Sequence, residues 1–260
     1  MKKLLGLAVS ITTLLVLIGC EGEVTLETPE VNYTVTDNGA TLRLSWIEIS
    51  DADGYYIYAD GVAIDTIDDP STTTYDATQP AAIYEVSAYA GEDESDKDMV
   101  DCTPVKTSNL TVYGTSDPDP THPSGLAFTN DGTAYAIAVG PSANHPDIDY
   151  IFDDTNFPTM TLTSPNSYSP VYNNEKNMSL DAQVTSFDTV TIADAPGNYS
   201  TQTTLSSNAV YYLFMDQDDD GWDTDNDHFG KMKVESISGS IVTITVAYQP
   251  IAGLRWLVTE

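Results

Sequence analysis

Basic residues are scarce in this sequence. It has 9 Lys and Arg against 40 Asp and Glu, which gives a formal net charge of −31. Nucleic acids and anionic lipid surfaces are bound mainly through Lys and Arg, so a chain this acidic should repel both. Binding to nucleic acid is therefore excluded as a function. Any attachment to a membrane must come from apolar burial rather than from charge.

Cysteine is also scarce, since Cys20 and Cys102 are the two that the chain contains. Cys20 belongs to the export signal described below, which leaves Cys102 without a partner for an internal disulfide. The stability of the folded chain must then come from packing. A catalytic thiol needs an activating His, and none is close to Cys102 in the sequence. We therefore predict that Cys102 is a buried, unreactive side chain.

Catalytic motifs are missing as well. The sequence contains no Gly-x-Ser-x-Gly elbow, phosphate loop, His-Glu-x-x-His motif or Cys–His pairing. Paired carboxylates can serve a glycosidase, but with 40 acidic residues any chosen pair is uninformative. We predict that the protein is not an enzyme. With 41% hydrophobic residues, it has enough apolar side chains to form a core.

The first residues have the layout of an export signal. Lys2 and Lys3 precede an uncharged apolar run at residues 4–18, which is short for the ~20 residues of a membrane span. The run ends in Leu17-Ile18-Gly19-Cys20, which resembles the bacterial lipobox. The alternative is an uncleaved anchor in which the Cys is incidental.

The lipobox resemblance implies that residues 1–19 are a cleaved signal peptide and that Cys20 becomes the acylated first residue of the mature protein. Residues 20–23 would then be a lipidated tether that anchors the exported protein in a membrane. Because Glu21 rather than Asp follows Cys20, the resemblance implies the outer membrane or cell surface of a bacterium with two membranes.

Residues 24–105 alternate apolar and polar side chains at the period of a β-strand. The segment Thr41-Leu42-Arg43-Leu44-Ser45-Trp46 places Leu42, Leu44 and Trp46 on one face. Further strands are predicted at residues 54–59, 62–67, 73–75 and 83–89, with the turn pair Asp60-Gly61 between the first two. Strands that recur every ~10 residues are typical of a β-sandwich.

Three phrases in this region resemble a fibronectin type III domain: Leu44-Ser45-Trp46, Ala52-Asp53-Gly54-Tyr55-Tyr56-Ile57-Tyr58 and Tyr84-Glu85-Val86-Ser87-Ala88-Tyr89. The resemblance implies that Trp46 packs in the core, that Tyr84 closes a corner and that the domain is a spacer or interaction module. An alternative role for Tyr55 and Tyr56 is sugar stacking, although strand alternation places one of the two in the core.

The rest of the chain is also predicted to be all-β. Residues 106–123 contain several prolines and are predicted to be a linker, with a strand at 110–113 that can belong to either neighbour. In residues 124–260, strands are predicted at 125–128, 134–138, 148–152, 159–162, 184–190, 209–215, 231–237 and 241–248. Helical periodicity is almost absent. The predicted fold is therefore two β-sandwich-type domains in tandem after the signal peptide.

Several phrases of the second domain are similar to the C-terminal domains of HmuY-like bacterial surface lipoproteins. They include Asp147-Ile148-Asp149-Tyr150-Ile151-Phe152, Ser186-Phe187-Asp188-Thr189-Val190, His228-Phe229-Gly230-Lys231-Met232-Lys233-Val234 and Tyr248-Gln249-Pro250. HmuY-like haem scavengers hold iron through two His residues. None of His122, His145 and His228 matches those ligand positions, and His122 and His145, each followed by Pro, are expected to be surface side chains.

One segment has metal-ligand spacing, the Asp-rich loop at residues 216–227. Its sequence, Asp-Gln-Asp-Asp-Asp-Gly-Trp-Asp-Thr-Asp-Asn-Asp, follows the D-x-D-x-D-G calcium pattern. The spacing predicts Ca²⁺ ligands at Asp216, Asp218, Asp220, Trp222 (by its carbonyl), Thr224 and Asp227. Asp227 is shorter than the usual Glu at the twelfth position, and strands rather than helices are predicted on both sides. A hydrated acidic hairpin is the alternative.

These features predict a non-catalytic, membrane-anchored surface lipoprotein that acts as a binding, adhesion or accessory module, with a structural Ca²⁺ loop. Its partner would be an unidentified extracellular or periplasmic ligand, glycan or protein. The alternative is a lipoprotein that scavenges haem or another small ligand.

Overall fold

The computed structural model describes residues 25–156, 158–169, 177–216 and 221–259. The predicted signal peptide, the lipidation site Cys20 and the tether at 20–23 lie outside these residues. Within them the protein is nearly all β, with antiparallel sheets of β-sandwich type, which confirms the predicted fold class. The one α-helix of the described residues, α1 (Pro165–Tyr168), has four residues. No helix in these ranges is long and apolar enough to cross a membrane.

The strands are β1 (Asn32–Thr36), β2 (Thr41–Ser45), β3 (Gly54–Ala59), β4 (Val62–Ile67), β5 (Thr74–Ala77), β6 (Ile83–Ala90), β7 (Asp93–Glu94), β8 (Asp98–Asp101), β9 (Val105–Tyr113), β10 (Gly125–Phe128), β11 (Ala134–Ile137), β12 (Tyr150–Asp153), β13 (Thr161–Thr163), β14 (Met178–Asp181), β15 (Gln202–Thr204), β16 (Val210–Met215), β17 (His228–Ser238) and β18 (Ile241–Tyr248).

The first sandwich packs the sheet β1-β2-β5 against the sheet β4-β3-β6, in which β7 and β8 both pair with β6. The alternation predicted for β2 is confirmed, because Leu42, Leu44 and Trp46 are all buried in the core between the sheets. Tyr55 is also in this core, with its ring 5.0 Å from that of Trp46. Tyr56 is half-buried and stacks on Tyr89 instead.

The second sandwich packs the sheet β11-β10-β12-β13-β15 against the sheet β14-β16-β17-β18-β9. Its core takes large apolar side chains from both sheets, including Phe152, Leu162, Leu213, Met232 and Ile244. Sequence alternation predicted most of these strands to within a few residues.

The structure differs from the predicted linker at residues 106–123. Its first half belongs to β9, which pairs with β18 along most of its length and is an edge strand of the second sandwich. β9 alternates buried and exposed residues only weakly, and prolines dominate the second half of the segment. The strand expected at 110–113 therefore belongs to the second sandwich.

The prediction of a strand at residues 184–190 is wrong, because these residues form bends and a turn. The turn places two carbonyls around the ammonium group of Lys231, whose Nζ donates to the carbonyls of Phe187 (3.0 Å) and Val190 (2.9 Å). The apolar residues of this segment, Val184, Phe187 and Val190, recur at every third position rather than at every second, so the segment lacks the period of a strand.

The two sandwiches share residues 249–257. Ile251, Leu254 and Trp256 pack into the core of the first sandwich, although they follow the last strand of the second. Gln249 is fully buried and its Nε2 donates to the carbonyls of Cys102 (2.9 Å) and Trp256 (2.7 Å). The predicted boundary at residue 124 therefore leaves out a segment that completes the first domain.

Cys102 is buried at this junction. Burial, with smaller contributions from Asp101 and Asp60, raises the pKa of its thiol to about 12. The thiol is protonated at neutral pH, in agreement with the unreactive side chain predicted from the sequence.

Candidate functional site

The Asp-rich loop joins β16 to β17, and its two ends are buried. Asp216 directly follows β16 and Asp227 directly precedes β17, with 2% and 0% of each side chain exposed. Asp227 Oδ2 accepts a hydrogen bond from the backbone N–H of Asp223 (2.7 Å). Hydrogen bonding of this kind offsets part of the cost of burying a carboxylate. Asp216 and Asp227, which are the first and twelfth residues of the predicted calcium loop, are thus both shielded from bulk solvent.

The second half of the loop packs against the rest of the protein. The ring of Trp222 lies 5.1 Å from that of Phe229 and 6.1 Å from that of Phe214. Thr224 is exposed, and its backbone lies against Gly253. A Cβ added at Gly253 would approach the Thr224 Cα to 2.7 Å. In the described second half of the loop, Trp222 therefore packs against β16 and β17, while residues 224–226 are exposed.

Asp218 and Asp220, two of the predicted Ca²⁺ ligands, lie outside the described residues. Among the residues that are described, no three or more His, Cys, Asp and Glu side chains are grouped so that they could hold a metal ion. The predicted site accordingly has described positions only at Asp216, Trp222, Thr224 and Asp227.

The three histidines lie in different surroundings. His122 stacks on Tyr113, with its Nδ1 2.9 Å from Asp117 Oδ1 and its Nε2 3.7 Å from Asp119 Oδ2. His145 is in a 3-10 turn, Ser142–Asp147, and is half-buried. His228 begins β17 and is the histidine that lines a cleft.

This cleft, which we call the acidic aromatic cleft, is at one end of the second sandwich, between the ends of its two sheets. It has a volume of about 310 Å³. One sheet contributes the β10–β11 hairpin and the residues before β12, and the other contributes the start of β17 and the end of β18. Its lining residues are Phe128, Thr129, Asn130, Tyr135, Pro146, Asp147, Asp149, His228 and Tyr248.

Aromatic rings form one part of the cleft. The ring of Tyr248 lies 5.0 Å from that of Phe128 and is stacked on His228 at 4.9 Å. Tyr135, on β11, adds a half-buried phenol. Ring pairs at these distances attract each other, and this attraction holds the rings in fixed positions. The cleft wall is therefore preformed by side chains of both sheets.

Carboxylates form the other part. Asp149 is buried, and its Oδ2 accepts the backbone N–H of Phe128 (2.8 Å), while its own carbonyl accepts Asn177 Nδ2 (3.0 Å). The pKa of Tyr135 is raised mainly by burial and to a smaller extent by the negative charges of Asp147 and Asp149. The pKa of Tyr248 is likewise raised mainly by burial and to a smaller extent by the negative charge of Asp149. Both phenols therefore stay protonated at neutral pH beside two acidic side chains.

His228 is neutral at pH 7. Burial lowers its pKa below the usual range, against the smaller opposing effect of its hydrogen bond to Gln249. Its Nδ1 lies 2.9 Å from the Gln249 carbonyl, which can only accept, so Nδ1 carries the ring proton. Nε2 is then the acceptor nitrogen of the imidazole.

Sequence reasoning missed this cleft, because its residues come from four separated segments of the chain. Three of its parts did lie in phrases of the HmuY-like resemblance, namely Asp147 to Phe152, His228 to Val234 and Tyr248-Gln249-Pro250. Strand alternation alone gave no reason to connect them. Chemically, the arrangement offers hydrogen-bond acceptors and π-electron surfaces, and it presents no Lys or Arg among the described lining residues.

No protein-family model matches the chain. No curated protein matches it either. Among solved structures it is similar to the crystal structure of a DUF4466 family protein from Parabacteroides merdae ATCC 43184, with 12% sequence identity and a TM-score of 0.42. That similarity covers 86% of this chain and 98% of the other. At this level of similarity, the function has to be argued from the site itself.

Proposed function

We propose that this chain is a non-catalytic, lipid-anchored binding module of a bacterial cell surface, and that its ligand occupies the acidic aromatic cleft. The observation that carries the proposal is the convergence of carboxylates, phenols, an amide and a neutral imidazole on one concave site. Sites of this composition and size bind small molecules. None of the described lining residues is a Ser or Cys nucleophile paired with a base, which favours binding over catalysis.

The first sandwich supports a spacer role of the fibronectin type III kind. Its strands are divided between two facing sheets, β1-β2-β5 and β4-β3-β6-β8. Fibronectin type III sandwiches distribute their strands between two sheets in the same order. The hydroxyl of Tyr84 donates to the carbonyl of Gln79 (2.6 Å), five residues upstream, as the corner Tyr of immunoglobulin-like sandwiches does. In this proposal the spacer holds the cleft away from the acyl chains on Cys20.

Anchoring is tested by metabolic labelling with an alkyne-bearing fatty acid in a bacterial host. The wild-type chain should incorporate the label and sediment with membranes, whereas Cys20→Ala should do neither. Cys102→Ala is the matched control, because its thiol is buried, and it should label like the wild type. Equal labelling of Cys20→Ala would overturn the anchor.

Binding in the cleft is tested by a thermal-shift screen of amines, amino acids, saccharides and haem against the wild type and Tyr135→Ala. A compound that raises the melting temperature of the wild type but not of Tyr135→Ala supports the cleft as the ligand site. A compound that stabilises both equally binds elsewhere and contradicts the assignment. Tyr33→Ala, which removes an exposed phenol of the first sandwich, is the control.

We include a structural Ca²⁺ ion in the Asp-rich loop. Its support is the burial of Asp216 and Asp227 at both ends of a loop that carries further carboxylates between them. Ca²⁺ prefers such oxygen ligands, and a buried carboxylate is stabilised by a bound cation.

Added Ca²⁺ should therefore raise the melting temperature of the wild type, and the double variant Asp218→Ala, Asp220→Ala should lose that increase. The control is Glu92→Ala, Asp96→Ala, which removes the same charge from an exposed loop of the first sandwich. A melting temperature that is indifferent to both Ca²⁺ and chelator would refute the ion.

The haem alternative makes a separate prediction. His122 has both ring nitrogens next to carboxylates, whereas His228 lines the cleft with Nε2 as its acceptor. If the protein scavenges haem, titration should give a Soret shift that His228→Ala or His145→Ala abolishes. An unchanged spectrum in both redox states would remove this alternative and leave the binding module in place.

A further inference from the structure

We propose that the acidic aromatic cleft binds a neutral glycan, and that the glycan chain continues from the cleft along the β10–β11 hairpin. This inference rests on the proposed function, since it names the chemical class of the ligand that the binding module takes. Four observations carry it: a buried hydroxyl without a partner, further unused polar groups, a partly exposed aromatic ring and a groove longer than the cleft itself.

The hydroxyl of Tyr248 indicates a polar ligand. The side chain is 7% exposed, and its ring contacts those of Phe128 and His228. Among the described residues the hydroxyl has no hydrogen-bond partner, and the side chain lines the cleft. A buried hydroxyl normally has such a partner. The open volume of the cleft is the place from which a ligand hydroxyl can supply it.

Three further polar groups of the lining are not used by the protein itself. The Asn130 amide, the Tyr135 hydroxyl and the Asp147 carboxylate have no hydrogen-bond partner among the described residues. The amide and the phenol each donate and accept, whereas the carboxylate accepts through two oxygens. A sugar hydroxyl donates and accepts at once, so neighbouring hydroxyls of one sugar ring can pair with groups of both kinds.

The charge of the lining favours a neutral glycan over an anionic one. No Lys or Arg lines the cleft among the described residues, whereas Asp147 does and is exposed. The net charge of the whole chain, −31, also repels anions. A phosphorylated, sulfated or uronic-acid sugar would bring further negative charge beside that carboxylate, whereas the hydroxyls of a neutral sugar can donate to it.

Tyr135 supplies an apolar surface for a sugar ring. It is half-buried and, unlike Phe128 and Tyr248, has no ring contact with another described side chain. A pyranose carries C–H groups on its faces and hydroxyls around its edge, so it is amphipathic in the same way as a phenol. Stacking a C–H face on Tyr135 removes apolar surface of both from water and leaves the hydroxyls for the polar groups.

The groove continues beyond the cleft. A second, more open depression of about 610 Å³ shares Thr129 and Asn130 with the cleft and adds Asp131 and Thr133. The cleft alone, with about 310 Å³, is at the small end of ligand pockets, which range over ~300–1,000 Å³. Asn130 lies where the two depressions meet. An unbranched chain of sugar units can follow this surface, which extends past the volume that one small molecule fills.

The experiment is isothermal titration calorimetry of the purified protein with maltohexaose, cellohexaose, mannohexaose and xylohexaose, and with the anionic hexagalacturonic acid. At least one neutral hexasaccharide should bind about tenfold or more tightly than its own disaccharide, because the longer chain reaches from the cleft past Asn130 and forms additional hydrogen bonds. Hexagalacturonic acid should not bind.

The decisive variant is Tyr248→Phe, which removes the hydroxyl and keeps the ring, so a thermal melt should show that its fold is retained. It should weaken hexasaccharide binding about tenfold, the loss of one hydrogen bond in a mostly desolvated site. Asn130→Ala, at an exposed position, should weaken the hexasaccharide more than the disaccharide. Tyr33→Phe, which removes an exposed hydroxyl of the first sandwich, is the matched control and should bind like the wild type.

Each other outcome counts against the inference. If Tyr248→Phe binds the hexasaccharide as tightly as the wild type, the glycan is held elsewhere. Equal affinity for a hexasaccharide and its disaccharide removes the extended groove, and equal affinity for hexagalacturonic acid removes the preference for neutral glycans. If no neutral hexasaccharide binds, the inference is overturned, while the proposed function stands when another compound of the thermal-shift screen stabilises the wild type but not Tyr135→Ala. If no compound of that screen does so, the proposed function fails as well.

Discussion

Replacement of Lys231 by Met tests the energetics of a fully buried ammonium group. Lys231 is fully buried on β17, and its Nζ contacts two backbone carbonyls and lies 4.3 Å from the ring centroid of Phe187. Burial lowers the pKa of this ammonium group to about 8, with a smaller opposing effect of Asp188 and a further lowering by Lys106. At pH 7 the folded protein therefore carries a charge that the unfolded chain would hold more favourably in water.

The sign of the pH dependence follows from the two pKa values. Between about 8 in the folded state and 10.5 in the unfolded state, the unfolded chain binds more protons, so the free energy of unfolding rises with pH. At ~1.36 kcal/mol per pKa unit, the contribution of Lys231 from pH 7 to pH 9 is an increase of about 1.4 kcal/mol. Cys102 and the buried tyrosines act in the opposite direction, because their folded pKa values are raised.

The assay is urea denaturation of the wild type and Lys231→Met at pH 7, 8 and 9. The thiol and phenol contributions are common to both proteins, so they cancel in the difference between the two free energies of unfolding. That difference should move in favour of the wild type by about 1.4 kcal/mol across this interval. Lys233→Met, on the same strand and with its Nζ 3.1 Å from Glu235, is the control for removal of a lysine from β17. A pH-independent difference for Lys231→Met would refute the lowered pKa.

Three further predictions concern the junction of the sandwiches. Cys102 should react with a thiol reagent at pH 8 only after denaturation, since burial raises its pKa to about 12; rapid reaction of the folded protein would contradict its burial. Gln249→Leu should lower the free energy of unfolding by ~3 kcal/mol, measured by urea denaturation, because it removes partners from the buried groups of Cys102, Ile251 and Trp256. Gly39→Ala should lower the melting temperature more than Gly61→Ala does. Both glycines have a positive φ, so both substitutions strain the backbone, but only a Cβ at position 39 would collide with the Gly253 carbonyl. Equal losses at the two glycines would show that the close approach contributes nothing.

Sequence alternation was sufficient for the strands whose two faces differ in burial. In β2, apolar and polar residues alternate, and Leu42 and Leu44 are fully buried while Arg43 is exposed. The strand predicted at 184–190 did not form: its apolar residues recur at every third position, and two of its carbonyls accept hydrogen bonds from Lys231, more than forty residues later in the chain. Alternation describes a strand's faces but not its hydrogen-bonding partner.

The site was less predictable than the fold. The spacing of the Asp-rich loop was visible because its residues are contiguous, and the burial of Asp216 and Asp227 fits that interpretation. The acidic aromatic cleft depends on the pairing of β10 with β11 and of β17 with β18, which brings distant residues to one end of the sandwich. No local property of Asp149 or His228 distinguishes it from other Asp and His residues before that pairing is known.

The packing of Trp256 against Tyr84 affects the order in which the chain can fold during synthesis. Ribosomes release the residues of the first sandwich well before residues 251–256, which fill part of its core and donate from Trp256 Nε1 to the Ala40 carbonyl. Until those residues emerge, the first sandwich lacks a large apolar side chain and remains incompletely stable. Stable folding of the first sandwich is thereby postponed until residues 251–256, from beyond the last strand of the second sandwich, have been made.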